Sequence, residues 1–137
     1  MNDYDNSNVN YNPIAHADNS QAASLPEFFY STGIYRHRVA GRIFMEAVFM
    51  AAEDLSRLEN IARNIYGPIA KRHGVTTGCI SKNLRDVRDT IMKYGGAKLL
   101  EEMTGSRHWR TENPYPHEII EVFARYFRNH QIPHNIL

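Results

Sequence analysis

Apolar side chains recur at helical spacing through most of the chain, and the most informative stretch runs from residue 69 to residue 94. Ile80, Leu84, Val87 and Ile91 follow one another at intervals of four, three and four positions. This spacing is the apolar stripe of a helix with 3.6 residues per turn. A strand would place the same residues on both of its faces. The pattern therefore predicts a helix over about residues 76–94.

Turn and capping residues mark both ends of this helix. Thr76 or Thr77 can accept a backbone N–H bond as the N-cap, and Gly74 can supply the tight turn before it. Gly95-Gly96 provides a stop with a permissive backbone. Because an earlier helical segment ends near His73, the layout is that of a helix-turn-helix, whose second helix can lie in the major groove of DNA.

The apolar positions elsewhere predict five further helices. They span about residues 25–32, 40–55, 56–73, 97–103 and 116–130. The 40–55 helix is apolar over most of its circumference, so we expect it at the centre of the core. Pro68 should kink or divide the 56–73 helix near Tyr66-Gly67, because proline lacks a backbone donor. No stretch alternates as a strand does. The predicted fold class is therefore all-α, with about six helices, unrelated to the winged helix.

The first 24 residues differ in composition from the remainder of the chain. They are rich in Asn, Ser and Asp and contain few large apolar side chains. Such a segment cannot bury enough surface to offset its ordering entropy. We therefore predict a disordered polar tail over residues 1–24 and one helical domain over residues 25–137. A partner-docking peptide around Tyr11 to Ile14 is the alternative role for the tail.

The net charge of the whole chain is only +1, but the charge is unevenly distributed. Residues 1–24 hold three of the 15 acidic residues and no Lys or Arg, which leaves 16 basic and 12 acidic residues in the remainder. That balance permits a phosphate-binding surface without requiring one. No signal peptide or membrane-length apolar run occurs. A single cysteine fits a reducing compartment, so we expect a cytoplasmic protein.

The polar face of the 76–94 helix is the candidate functional surface. Gly78, Ser81, Lys82 and Arg85 should point outward or to the flank of the apolar stripe. Small residues in the first turn allow close approach of a partner, and the two long cations can reach phosphates or guanine edges. The alternative is a face that is merely solvated, since acidic residues on the same helix dilute its positive field.

Other chemistry has weaker support in the sequence. His130 and His134 have helical ligand spacing, but Pro133 lies between them and no Cys or carboxylate partner is near, so we predict no metal site. Cys79 lacks a histidine base beside it, which argues against a nucleophile. Trp109 is expected to anchor its loop on the core, with a position near a phosphate backbone as the alternative. No cofactor is predicted. RNA binding has little support, because the sequence shows no aromatic platform on which bases could stack.

The predicted helix-turn-helix and its flanks are similar to a known family. The residues that carry the similarity are Ile69-Ala70-Lys71-Arg72, Thr76, Ile80, Lys82, Leu84 and Arg85 in the two helices, Gly33-Ile34, Ala47 to Asp54 and Tyr66 before them, and Gly95, Leu99 to Gly105, Asn113-Pro114 and Glu118-Ile119-Ile120 after them. In this order and spacing, residues 25–137 resemble the C-terminal effector domain of the stage-zero sporulation response regulator. Pro68 lies one place away from the corresponding proline of that family.

This resemblance implies an all-helical domain that binds a short promoter box through the helix 76–94 and binds tandem boxes as a dimer. It implies that the groove-facing positions are Gly78, Cys79, Ser81, Lys82 and Arg85, with Lys71 and Arg72 near the DNA backbone. The family has Ser-Arg-x-Glu-Arg where this chain has the stretch from Gly78 to Lys82. The base-reading Arg and Glu are thus replaced, so the family's own box is not assumed as the target. The family's phosphate-accepting receiver domain is not recognised in the sequence, and control by phosphorylation is not predicted.

We therefore predict a sequence-specific DNA-binding transcriptional regulator rather than an enzyme, with double-stranded promoter DNA as its partner and a homodimer on that DNA. The expected DNA-binding residues are Lys71, Arg72, Thr76, Thr77, Gly78, Cys79, Ser81, Lys82, Arg85 and Arg88. Ser81, Lys82 and Arg85 should reach base edges, and Lys71, Arg72 and Arg88 should lie at or near phosphates. The alternative function is a non-DNA protein-interaction or adaptor module on the same helical scaffold.

Overall fold

A computed structural model of the chain describes residues 38–130, and of Arg38 it describes the backbone alone. These residues form five α-helices and contain no strand. The helices are α1 (Arg38–Glu53), α2 (Gly67–His73), α3 (Thr77–Lys93), α4 (Gly96–Thr104) and α5 (Pro116–Asn129). The predicted all-α class is confirmed. The predicted tail over residues 1–24 and the predicted helix over 25–32 lie outside the described residues.

Helix α1 lies at the centre of the core, as its nearly uniform apolar circumference predicted. It packs against both α3 and α5, and Ala47, Val48 and Ala51 are completely buried. The Phe44 ring packs edge to face against the Phe123 ring of α5, with the ring centroids 5.5 Å apart. Aromatic pairs prefer this geometry. The fully buried large side chains are Phe44, Phe123, Phe127, Ile43, Ile65, Ile69, Ile80 and Leu84.

The prediction of one helix over residues 56–73 was wrong. The segment forms a 3-10 helix (Leu55–Asn60), a π-helix (Ala62–Tyr66) and then α2. The Asp54 carboxylate caps the start of the 3-10 helix, accepting hydrogen bonds from the backbone N–H (3.0 Å) and hydroxyl (2.7 Å) of Ser56. The predicted division near Tyr66-Gly67 is confirmed, since α2 begins at Gly67 with Pro68 in its first turn.

Two arginines satisfy carbonyl groups at the C-terminal end of α1. Arg57 donates to the Met50 carbonyl at 2.7 Å, and Arg128 of α5 donates to the Ala52 carbonyl. The last carbonyls of a helix have no partner within the helix. Cationic donors there are favoured by the helix dipole as well. The central helix is therefore closed by side chains from two other elements.

A three-residue turn joins α2 to α3. Gly74 ends α2 with φ of +68°, a left-handed conformation that glycine adopts without steric cost. The alternative between the two candidate capping threonines resolves to Thr76, whose hydroxyl accepts a bond from the Cys79 N–H at 3.1 Å. Gly95, with φ of +91°, then separates α3 from α4. Helix α3 thus begins and ends within one residue of the predicted span 76–94, and α2 ends at His73 as predicted.

The segment between α4 and α5 is fixed to the core through one aromatic side chain. Trp109 is only 6% exposed, and its ring N–H donates to the Thr104 hydroxyl at 2.9 Å. Of the two alternatives for Trp109, the role as an anchor on the core is therefore confirmed, and the position near a phosphate backbone is not. The last helix begins at Pro116, as predicted, and the Glu118 carboxylate accepts from the Tyr115 N–H at 2.8 Å in a capping box.

Candidate nucleic-acid interface

A continuous exposed segment runs through the end of α2, the turn and the first turn of α3. Every residue from Lys71 to Cys79 is exposed. The opposite side of α3 is buried against the core through Ile80, Leu84, Val87, Thr90 and Ile91. Helix α3 is therefore held along one face and open to solvent along the other. We call the open side, with the segment that leads into it, the α2–α3 face.

The two predicted base-contacting cations lie on this face. The Lys82 side chain is 72% exposed and its Nζ lies 3.2 Å from the Asp86 carboxylate. Arg85 is exposed and donates from Nη1 to the Ser81 hydroxyl at 2.9 Å. Contacts between residues four apart on an exposed helix are worth only about 0.3–0.5 kcal/mol. Both cations can therefore exchange these bonds for a partner at little cost.

Acidic residues share the same helix and reduce its positive field. Asp86 pairs with Lys82, and Asp89, with 62% of its side chain exposed, accepts from Arg88 at 2.8 Å. The charges on α3 are thus of mixed sign. A partner with a diffuse negative field gains less from such a face than one whose acceptors match the individual cations.

Arg88 has a different environment from the other predicted contact residues. Its side chain is only 14% exposed, and its Nη1 donates to the Pro114 carbonyl at 3.0 Å. It therefore ties α3 to the segment that leads into α5. The predicted phosphate contact was based on spacing along α3, which carries no information about this bond.

The end of α2 carries a small charged cluster that spacing did not predict. Arg72 donates from Nη2 (2.8 Å) and Nε (3.3 Å) to one oxygen of Glu46 on α1, and His73 Nε2 lies 2.8 Å from the other oxygen. Burial alone would raise the pKa of Glu46, but the bonds and charges of Arg72 and His73 lower that pKa below its ordinary value. Lys71 beside them is exposed.

The first turn of α3 combines small exposed groups with one thiol. Thr77, Gly78 and Cys79 are all exposed. Asn83, which the sequence did not single out, donates from Nδ2 to the Cys79 carbonyl at 2.9 Å and lies 3.6 Å from its Sγ. Among residues 38–130, no group of three or more His, Cys, Asp or Glu side chains could hold a metal ion. His134 of the predicted spacing pair lies outside these residues.

The comparison with known families bears on what this face does. A family model described as the C terminal of sporulation initiation factor Spo0A matches residues 26–127. The chain belongs to this family. The match contains α1, α2, the turn and α3 entirely. Comparison with curated proteins and with solved structures gave no match.

Membership of the Spo0A C-terminal family supports a function in DNA binding at the family level. The family is a DNA-binding regulatory domain and not an enzyme family, so the predicted class of DNA-binding regulator is confirmed at that level. The resemblance inferred from residues 25–137 is likewise confirmed by a match over residues 26–127. No helix among the described residues is long and apolar enough to cross a membrane.

Proposed function

We propose that this protein is a sequence-specific transcriptional regulator that binds promoter DNA with α3 in the major groove. The proposal rests on the α2–α3 face. Its cations Lys82 and Arg85 project from α3, and the other side of that helix is packed against the core. The major groove of DNA is wide enough to admit one α-helix, and cations on the exposed side of that helix can then reach phosphates and base edges.

The proposed contacts follow the position of each residue on this face. Ser81, Lys82 and Arg85 are assigned to base edges, with Gly78 and Cys79 at the point of closest approach. Those assigned to phosphates are Lys71, Arg72, Thr76 and Thr77. The Thr76 hydroxyl oxygen accepts the capping bond from the Cys79 N–H, and its O–H can still donate to a phosphate. We leave Arg88 out of the proposed contacts because its guanidinium bonds Asp89 and Pro114.

The test begins with the selection of bound sequences from a random duplex pool by the wild-type protein. Binding of the selected duplex is then measured for Lys82→Ala plus Arg85→Ala. Both residues are exposed, so we expect normal folding and a loss of at least about thirtyfold in affinity, since each good base contact contributes about 1–3 kcal/mol. The matched control is Lys98→Ala plus Arg125→Ala, which removes the same charge from exposed sites on α4 and α5.

The control separates specific contacts from net charge. An equal loss in the two double variants would show that charge alone matters, and normal binding by the α3 variant would contradict the site. A wild-type protein that passes unretained through heparin and random duplex DNA at low salt would instead favour the adaptor-module alternative.

We further propose that two copies bind adjacent sites on the promoter as a homodimer, as the family resemblance implies. The test is the stoichiometry on duplexes that carry one or two copies of the selected sequence. Cooperative addition of the second copy is expected on the double site. Independent binding of the two copies, at every spacing between the sites, would contradict the dimer.

A further inference from the structure

The carboxylate of Glu46 joins the central helix to the end of α2. One of its oxygens accepts two bonds from the Arg72 guanidinium, at 2.8 and 3.3 Å, and the other meets His73 at 2.8 Å. The Glu46 side chain is 26% exposed, whereas that of Arg72 is 54% exposed. The acid therefore lies deeper than the arginine that it holds.

Among residues 38–130, the guanidinium of Arg72 is engaged through Nε and Nη2, and its Nη1 is left open. It bonds Glu46 through Nε and Nη2, and Nη2 also lies 3.9 Å from the Met50 Sδ. Its Nη1 makes no hydrogen bond to any of residues 38–130. Arginine presents five N–H donors in a rigid planar fork. Fixing Nε and Nη2 leaves Nη1 in a defined orientation, within the exposed segment that leads into α3.

We propose that Glu46 is a positioning residue for DNA binding, which holds Arg72 so that its open edge meets a phosphate beside α3. This inference rests on the proposed DNA-binding function. Holding a long side chain in place before binding reduces the rotamer entropy that is lost on contact. The carboxylate itself touches no DNA and acts only through Arg72.

Positioning and net charge make opposite predictions for one substitution. Glu46→Gln removes a negative charge close to the proposed interface. If only net charge mattered, that change would strengthen attraction to phosphates. If Glu46 orients Arg72, the same change weakens binding, because the amide forms a weaker bond to the guanidinium than a carboxylate does.

The experiment measures affinity for the selected duplex over a series of salt concentrations. We expect E46Q to bind about three- to tenfold more weakly than wild type, the loss of one oriented contact, and its log–log salt slope to be smaller by about 0.9, one phosphate's share. Glu53→Gln is the matched control, because Glu53 ends the same helix and also pairs with an arginine, accepting one bond from Arg57 at 2.9 Å. E53Q should bind no more weakly than wild type.

A double-variant cycle ties the effect to Arg72. In an Arg72→Ala background, adding E46Q should cause no further loss of affinity. Arg72→Lys keeps the charge and leaves Glu46 intact but removes the planar fork, so its affinity should fall as that of E46Q does. Thermal melting of each variant checks that the folded protein is compared throughout.

Each outcome decides the matter. Wild-type or tighter binding by E46Q, a weaker binding with an unchanged salt slope, a loss that persists without Arg72, or full binding by R72K would overturn the positioning role alone. A wild-type protein that binds no duplex would overturn the DNA-binding function and this inference with it.

Discussion

Gly78 occupies a position where the fold itself gives no reason for glycine. An added Cβ there would meet only the Thr76 hydroxyl, at 3.7 Å, which is ordinary contact. Glycine inside a helix costs about 0.5–1 kcal/mol relative to alanine. Gly78 thus lowers the stability of α3, but it leaves the first turn of α3 without a side chain on the α2–α3 face.

Gly78→Ala should therefore raise stability and weaken DNA binding at the same time. We expect an increase of up to about 1 kcal/mol in the free energy of unfolding, measured by denaturant titration, and a lower affinity for the selected duplex. The loss arises because the new methyl group holds the helix backbone away from the groove. Unchanged affinity in a stabilised variant would contradict close approach at this residue.

The thiol of Cys79 offers a direct probe of the same turn. It is the only cysteine of the chain and it is exposed. Bound duplex should cover it, so the rate of alkylation by a maleimide is expected to fall in proportion to the fraction of protein that is bound. A duplex of unrelated sequence at the same concentration is the control. An alkylation rate that the selected duplex leaves unchanged would place Cys79 outside the interface.

At the scale of helices, the contact between α1 and α2 predicts a dependence of stability on acid. The pKa of Glu46 is lowered in the folded protein, so the carboxylate stabilises the fold above its ordinary pKa of 4.5 and loses that effect as the pH falls below it. The free-energy difference between wild type and E46Q, expected below about 1 kcal/mol for so exposed a pair, should shrink in that range. A difference that stays constant down to acid denaturation would contradict the shift.

Helices that one periodic stripe defines could be predicted from the sequence, and contacts between distant residues could not. Ile80, Leu84 and Ile91 fixed the buried side of α3 because helical spacing alone decides which face is apolar. The 3-10 and π geometry between Leu55 and Tyr66 was missed, because the spacing of apolar residues does not reveal which carbonyl accepts each backbone bond. Glu46 lies 26 residues from Arg72, and no periodicity links them. The candidate site was therefore predictable as a list of exposed residues, but not as a set of oriented groups.

At the scale of the whole molecule, the balance of charge predicts how DNA binding responds to salt. The α2–α3 face has few cations, and α3 also has two carboxylates, those of Asp86 and Asp89. About three to five neutralised phosphates would give a log–log slope of affinity against salt near −3 to −4. Anisotropy titrations at several salt concentrations measure this slope. A value near zero would contradict phosphate contact, and a much steeper one would show that a larger surface is involved.

The arginine that closes the end of α1 comes from 76 residues further along the chain. During synthesis, the Ala52 carbonyl consequently has no such donor until α5 has left the ribosome. A contact between such distant positions forms late in folding, and it makes the stability of α1 depend on the presence of α5. Chains that are cut before α5 would lose both this donor and the aromatic rings that cover α1, so we do not expect α1 to α4 to persist as an independent fragment.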